Sequence, residues 1–277
     1  MDLSSHKVSL SSTFLEMRYA FQNLPLPIWR LCKAQFFAWM AWFPFLFYAT
    51  LYVGEMALFS TSPGATENST SPSAKDIFDA ATKQGSYAFF LFSIVSAFSS
   101  WFLPFVSTGR ARISLRGVYV TGLVWFTLLM FATVFVTSAQ TATAVVSLAG
   151  ISWAVMMWVP FAYIGIHLNS PNIDQINGDD YIPLPTVPNE SGDTIEDTNE
   201  VLVHSKRTDA GLILGIHNVF VVLPQFVVLL VSAILFKGMD MLKSYSQGQW
   251  AFTSETGLIL RVGALGSLIA VYYGRYL

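Results

Sequence analysis

The stretch GVYVTGLVWFTLLMFATVFVTSAQTATAVVSLAGISWAVMMWVPFAYIGIHLNSPNI, residues 117–173, contains no Asp, Glu, Lys or Arg. One membrane crossing takes about 20 mostly apolar residues to traverse about 30 Å of hydrocarbon, so this run holds two. Outward from it, the charge-free runs 34–54, 84–109 and 210–236 each hold one more, and the apolar C-terminal segment holds a sixth. The predicted spans are 33–53, 86–107, 117–137, 143–167, 210–236 and 256–276. In hydrocarbon each backbone amide must be satisfied within its own segment, and the sequence lacks the alternation of a barrel strand. The predicted fold class is therefore an all-α membrane protein of six transmembrane helices.

Composition supports this. The chain of 277 residues is 53% hydrophobic and 12% charged, against about 25% charged in a soluble domain. A net charge of -2 with no concentrated basic face leaves nothing to neutralise a nucleic-acid backbone. The single cysteine, Cys32, excludes an internal disulfide and a cysteine metal cage. Neither a metal nor a cofactor is called for, and no HExxH, GxSxG or phosphate-cradling glycine loop is present to suggest catalysis.

Orientation follows from the basic residues. Lys7, Arg18, Arg30, Lys33, Arg110, Arg112, Arg116, Lys206, Arg207 and Arg275 fall on one side, and Lys75, Lys83, Lys237 and Lys243 on the other. That bias places both termini in the cytoplasm. Residues 1–32 form a cytoplasmic segment with the look of no cleavable signal peptide, so the first span directs insertion. The loop 54–85 then lies outside, where Asn68-Ser69-Thr70 is a glycosylation sequon. A second sequon, Asn189-Glu190-Ser191, falls in the acidic, proline-punctuated loop 168–209, which the charge count places inside and which reads as a solvated linker. The expected location is a plasma, vacuolar or other endomembrane.

Four spans carry a proline: Pro44, Pro104, Pro160 and Pro224. Each removes a backbone bond and is expected to kink its helix. Their surroundings repeat. Trp42-Phe43-Pro44-Phe45 matches Trp158-Val159-Pro160-Phe161, and Leu103-Pro104-Phe105 echoes Leu223-Pro224-Gln225-Phe226. Spans one and two thus echo spans four and five, as a 3+3 inverted repeat of a secondary transporter predicts.

Polar groups inside spans are few, and each needs a reason. In the fifth span Asn218 and Gln225 are about 20° from alignment, with His217 within about 80° of Gln225. This stripe offers amide donors and acceptors to substrate hydroxyls, or hydrogen bonds to a neighbouring helix. In the first span Gln35, Trp39 and Trp42 fall within about 60° of one another. An amide beside two indoles suits a sugar ring, with apolar faces on aromatic planes and hydroxyls on the amide. Interfacial anchoring of Trp39 and core packing of Trp42, Trp153 and Trp158 are the alternatives. Gly211 and Gly215 are spaced for close helix approach, and Arg261, about 8 Å into the sixth span, is expected to reach the outer interface. No Asp or Glu lies deep in any span, Glu55 sitting at the outer end of the first. His217 is the one group that titrates near neutrality in its ordinary state.

The segment Gln35–Glu55, QFFAWMAWFPFLFYATLYVGE, resembles the seventh helix of sucrose and alpha-glucoside proton symporters, especially the fungal branch. Gly211–Phe226, GLILGIHNVFVVLPQF, is similar to their eleventh helix, and Gly150–Ala162 meets the tenth-helix pattern ending in W-x-P-F-A. The resemblance runs from about Pro27 to Arg275 and covers the second half of a twelve-helix major facilitator superfamily protein. It implies transport of sucrose or a related alpha-glucoside with protons, the substrate lying between two six-helix halves and the coupling Asp and Arg in an absent fourth helix. Plant relatives have F-D-T-D-W where this chain has Tyr48-Ala49-Thr50-Leu51-Tyr52, so no role of those acids carries over. Gln35, Trp39, Trp42, Asn218 and Gln225 are the expected pathway residues. The partners implied are the lipid bilayer, the sugar, protons, and an N-terminal half or a second copy. The expectation is part of a longer gene product, ahead of a self-pairing half or a non-transporting remnant. A sensor or scaffold acting through the acidic loop is the reading from another class.

Overall fold

The computed structural model describes residues 18, 21–22, 24–61, 74–108, 114–169, 196–245 and 254–277. Six long helices account for nearly all of them: α1 Leu26–Thr61, α2 Ala74–Thr108, α3 Leu115–Ala132, α4 Ala139–Asn169, α5 Glu196–Tyr245 and α6 Glu255–Gly274. No strand occurs among the described residues. Each helix contains a segment long and apolar enough to cross a membrane: Leu26–Leu58, Phe78–Phe105, Leu115–Ala132, Ala139–Leu168, Ala210–Leu242 and Glu255–Gly274. The sequons at Asn68 and Asn189, and the centre of the acidic loop, lie outside the described residues.

The helices overrun the predicted spans. α1 starts at Leu26 rather than 33, α1 and α2 take both ends of the predicted loop 54–85, and α5 starts at Glu196 within the predicted acidic loop. Hydropathy marks only the hydrocarbon portion, whereas helical hydrogen bonding continues into polar sequence beyond it. α6 ends two residues early, at Gly274 instead of 276, and α3 stops five residues early, at Ala132 instead of 137. There Thr133 caps the helix, its Oγ1 donating to the Met130 carbonyl at 2.6 Å. Ser138 then starts α4 by accepting from the Thr141 N–H at 3.3 Å. Pro44, Pro104, Pro160 and Pro224 all lie inside uninterrupted helices.

Burial repeats with a period of three helices. The buried share of each span is 50, 22 and 44% for α1, α2 and α3, then 56, 17 and 56% for α4, α5 and α6. Helices paired by the motif echo therefore have similar burial, a pattern consistent with two three-helix repeats. α3 and α6, third in each set, pack directly on one another.

The chain divides into two compact units, Met1–Trp29 with Ala162–Val219, and Arg30–Phe161 with Phe220–Leu277. Within the first, Phe21 meets Trp29 edge-on at 5.3 Å, and the His167 ring packs on Tyr163 at 4.3 Å. The second holds the main core. Trp42 of α1 stacks on Phe126 of α3 at 4.1 Å, and Phe45, Phe89 and Phe92 surround them.

Lipid gives apolar side chains no reason to leave it, so helices associate through close packing and hydrogen bonds. Glycine provides the closeness. A Cβ on Gly150 of α4 would lie 2.5 Å from the Phe92 carbonyl oxygen of α2, one on Gly85 of α2 would lie 2.6 Å from the Thr50 carbonyl oxygen of α1, and one on Gly263 of α6 would lie 2.9 Å from Pro44 Cγ. Interhelical hydrogen bonds add to this: Ser152 Oγ to the Gly122 carbonyl at 2.7 Å, Gln84 Nε2 to Thr143 Oγ1 at 3.1 Å and Trp125 Nε1 to the Leu148 carbonyl at 3.2 Å. The close approach expected at Gly211 and Gly215 is not found among the described residues, where neither position has an atom within 4 Å of a built Cβ. Spacing alone identified a small-residue pair without showing whether a helix faces it.

Gly150→Ala should therefore lower the thermal stability of the detergent-solubilised chain by about 1–3 kcal/mol through forced separation of α4 and α2. Gly211→Ala should leave it unchanged or raise it by up to about 1 kcal/mol. Melting curves of the two variants side by side test the contrast.

Candidate functional site

The first-span residues come together with α4. Gln35 and Trp42 are seven residues apart and share a helix face. That face points inward, with Gln35 1% and Trp42 0% exposed. Trp39 is turned partly outward and half-buried. Its ring meets Trp153 of α4 edge-on at 6.0 Å, and Trp153 in turn meets Trp42 at 5.1 Å. The three indoles form a continuous aromatic wall between α1 and α4, with Trp39 and Trp153 at its accessible edge. Trp158 packs against the core from the same helix and is half-buried.

Neither inward polar group is satisfied. The Gln35 Nε2 and Trp42 Nε1 donors, and the Tyr119 hydroxyl on α3, are buried without a hydrogen-bond partner. A buried donor left unpaired costs about 1–3 kcal/mol, so these positions are energetically expensive in this arrangement.

The fifth-span stripe is not uniform. His217 is buried at 3% exposure, while the adjacent Asn218 is exposed. Gln225 is half-buried, one turn from Val228. Val228 lines a small groove of about 50 Å³ between α1, α5 and α6, together with Met40, Pro44, Ser232, Ile259 and Gly263. Trp39 does not line this groove and meets Trp153 of α4 instead.

A second polar cluster was missed. Glu55, near the end of α1, accepts hydrogen bonds on Oε2 from Ser254 Oγ at 2.5 Å and Thr256 Oγ1 at 2.7 Å. Ser254 is also the N-cap of α6, its Oγ accepting from the Gly257 N–H at 2.9 Å. One turn further along α6, Arg261 donates from Nε to Thr133 Oγ1 at 3.1 Å and from Nη2 to the Thr133 carbonyl at 3.3 Å. Tyr52 Oη donates to that same carbonyl at 3.3 Å. Arg261, expected to reach the outer interface, is thus tied to the last turn of a neighbouring span. It sits at the C-terminus of α3, where carbonyls lack helical partners and a cation is favoured. The α6 cap was legible in Ser254 ahead of an apolar run, but nothing local announces that Glu55 or Thr133 would meet it.

The six spans and this lipid-scale core define an integral multi-pass membrane protein. No family model matches the chain. It is similar to the general alpha-glucoside permease of Schizosaccharomyces pombe (strain 972 / ATCC 24843), at 22% identity over 337 aligned residues that take in 95% of this chain and 52% of the permease. The chain thus spans about half the length of the curated relative it matches.

Trp42→Ala should destabilise the chain by about 3–5 kcal/mol, the cost of a large cavity. Trp39→Ala, at the half-buried edge, should cost clearly less. Tryptophan-fluorescence unfolding of both variants checks the order.

Proposed function

We propose that this chain supplies one six-helix half of a proton-coupled sugar carrier whose cargo is sucrose or a related alpha-glucoside. The observation that carries the reading is the similarity to an alpha-glucoside permease along 95% of the chain, on a chain with six membrane-spanning helices. Both termini face the cytoplasm in this proposal, in keeping with the Lys and Arg bias. A companion half, from the same gene product, a separate chain or a second copy, completes the pathway. It also carries the coupling carboxylate in this proposal, because the acidic residues within the six spans of this chain stand near span ends: Glu55, Asp79, Asp240 and Glu255.

The residues nearest the solute are those with accessible surface: Trp39 and Trp153 as ring-stacking planes, and Asn218 and Gln225 as amide partners for hydroxyls. Gln35 and Trp42 stand behind the indole edge, where they shape it and meet the solute only when α1 moves. His217, buried in α5, is the candidate for proton linkage within this half. Alternating access by rocking one half against the other about a midplane site requires such a surface.

The test is uptake of labelled sucrose in yeast lacking its own sucrose carriers, with this chain expressed alone and beside the N-terminal half of an alpha-glucoside permease. Uptake dependent on both pieces and on a proton gradient supports the reading, and its absence in a well-expressed membrane-inserted pair refutes it. In an active pair, Gln225→Ala should raise the half-saturation concentration for sugar about two- to tenfold, the effect of one neutral hydrogen bond. Unchanged kinetics removes Gln225 from the pathway.

A further inference from the structure

We propose that α1 is a two-position helix, held in the present position by a clasp at its Glu55 end and drawn toward a second by buried donors lower down. The clasp is the Glu55 carboxylate with the Ser254 and Thr256 hydroxyls of α6. The same level carries the bond from Tyr52 of α1 to the Thr133 carbonyl. Hydrogen bonds to an ionised carboxylate are roughly twice as strong as neutral ones, so this end of α1 is firmly attached.

About two turns before Tyr52 stands Pro44, which leaves α1 short of one backbone bond and rests against Gly263 of α6 with no room for a side chain between them. A helix missing a bond beside a smooth glycine contact has a place to pivot. Below the pivot the balance reverses. Gln35 Nε2 and Trp42 Nε1 are buried donors with no acceptor. A rotation or tilt of α1 that hydrates them, or brings them to a carbonyl, recovers what the present position forfeits. By contrast, two buried hydroxyls of the neighbouring helices are paired, Ser267 Oγ and Thr127 Oγ1 both donating to the Leu123 carbonyl. α1 thus carries two of the buried donors that lack an acceptor.

Release of the clasp opens the groove directly beneath it. Ile259, one turn from Thr256, lines that groove with Met40, Pro44 and the buried Ser232. Access to Ser232 therefore reports the position of α1, and does so without transport, so the inference stands or falls separately from the assignment of a sugar.

The experiment places Ser232→Cys in a Cys32→Ala background, which removes the chain's only native thiol. The purified full chain in lipid nanodiscs, open to solvent on both faces, is labelled with a water-soluble maleimide. Glu55→Ala should speed labelling about tenfold or more, and Thr256→Val, which deletes one donor and spares the helix cap, by a smaller factor. Gln35→Met, which removes an unpaired donor at similar size, should slow it. A Glu55→Ala rate within twofold of the parent overturns the clasp, as does an unchanged Thr256→Val rate if the first variant is not monodisperse. An unchanged or faster rate in Gln35→Met overturns the second position.

Discussion

The assembly depends on how nearly the backbone of α1 can be approached. Apolar side chains in hydrocarbon are already at home, so no hydrophobic term drives one helix onto another. Attraction comes from dispersion, which fades within a fraction of an ångström of contact, and from interhelical hydrogen bonds. Gly85 of α2 and Gly263 of α6 let those helices close on α1 where any side chain would collide, and Gly266 keeps the α6 contact close. The fit of α1 brings Trp42 onto Phe126, sets the indole wall against α4, and delivers Tyr52 and Glu55 to their polar partners.

The architecture was readable because the bilayer imposes a simple rule. A charge-free run of sufficient length is a helix: four such runs held five of the spans, and the sixth showed as an apolar segment in spite of Arg261. Helix ends were less legible, since the run of apolar residues stops at the interface while the hydrogen-bond ladder of α1 or α5 does not. α3 ended early for a local chemical reason, the Thr133 cap, which apolar Val134 and Phe135 concealed. The three-helix repeat inferred from short proline motifs reappears as a repeat in burial, an independent quantity.

Site residues were harder. Gln35, Trp39 and Trp42 do share one side of a helix, as their spacing required, but spacing cannot say whether that side meets solute, lipid or protein. Burial divides them, with Trp39 at an edge and the other two enclosed. Adjacent His217 and Asn218 divide in the same way. Gly211 and Gly215 had the spacing of a packing motif but meet no neighbour among the described residues, while Gly150 and Gly263 pack tightly. The Glu55 cluster joins residues about 200 positions apart, and pairing at that separation leaves no trace in local composition.

The indole wall gives the molecule an optical property of its own. Trp42 and Trp153 lie 5.1 Å apart at 66°, with Trp39 a further 6.0 Å from Trp153 at 80°. Electronic transitions on rings so close and so steeply inclined mix into a chiral exciton pair. The near-ultraviolet dichroism of this wall then varies with the angle between α1 and α4, so that light absorption alone follows the movement of one helix past the other.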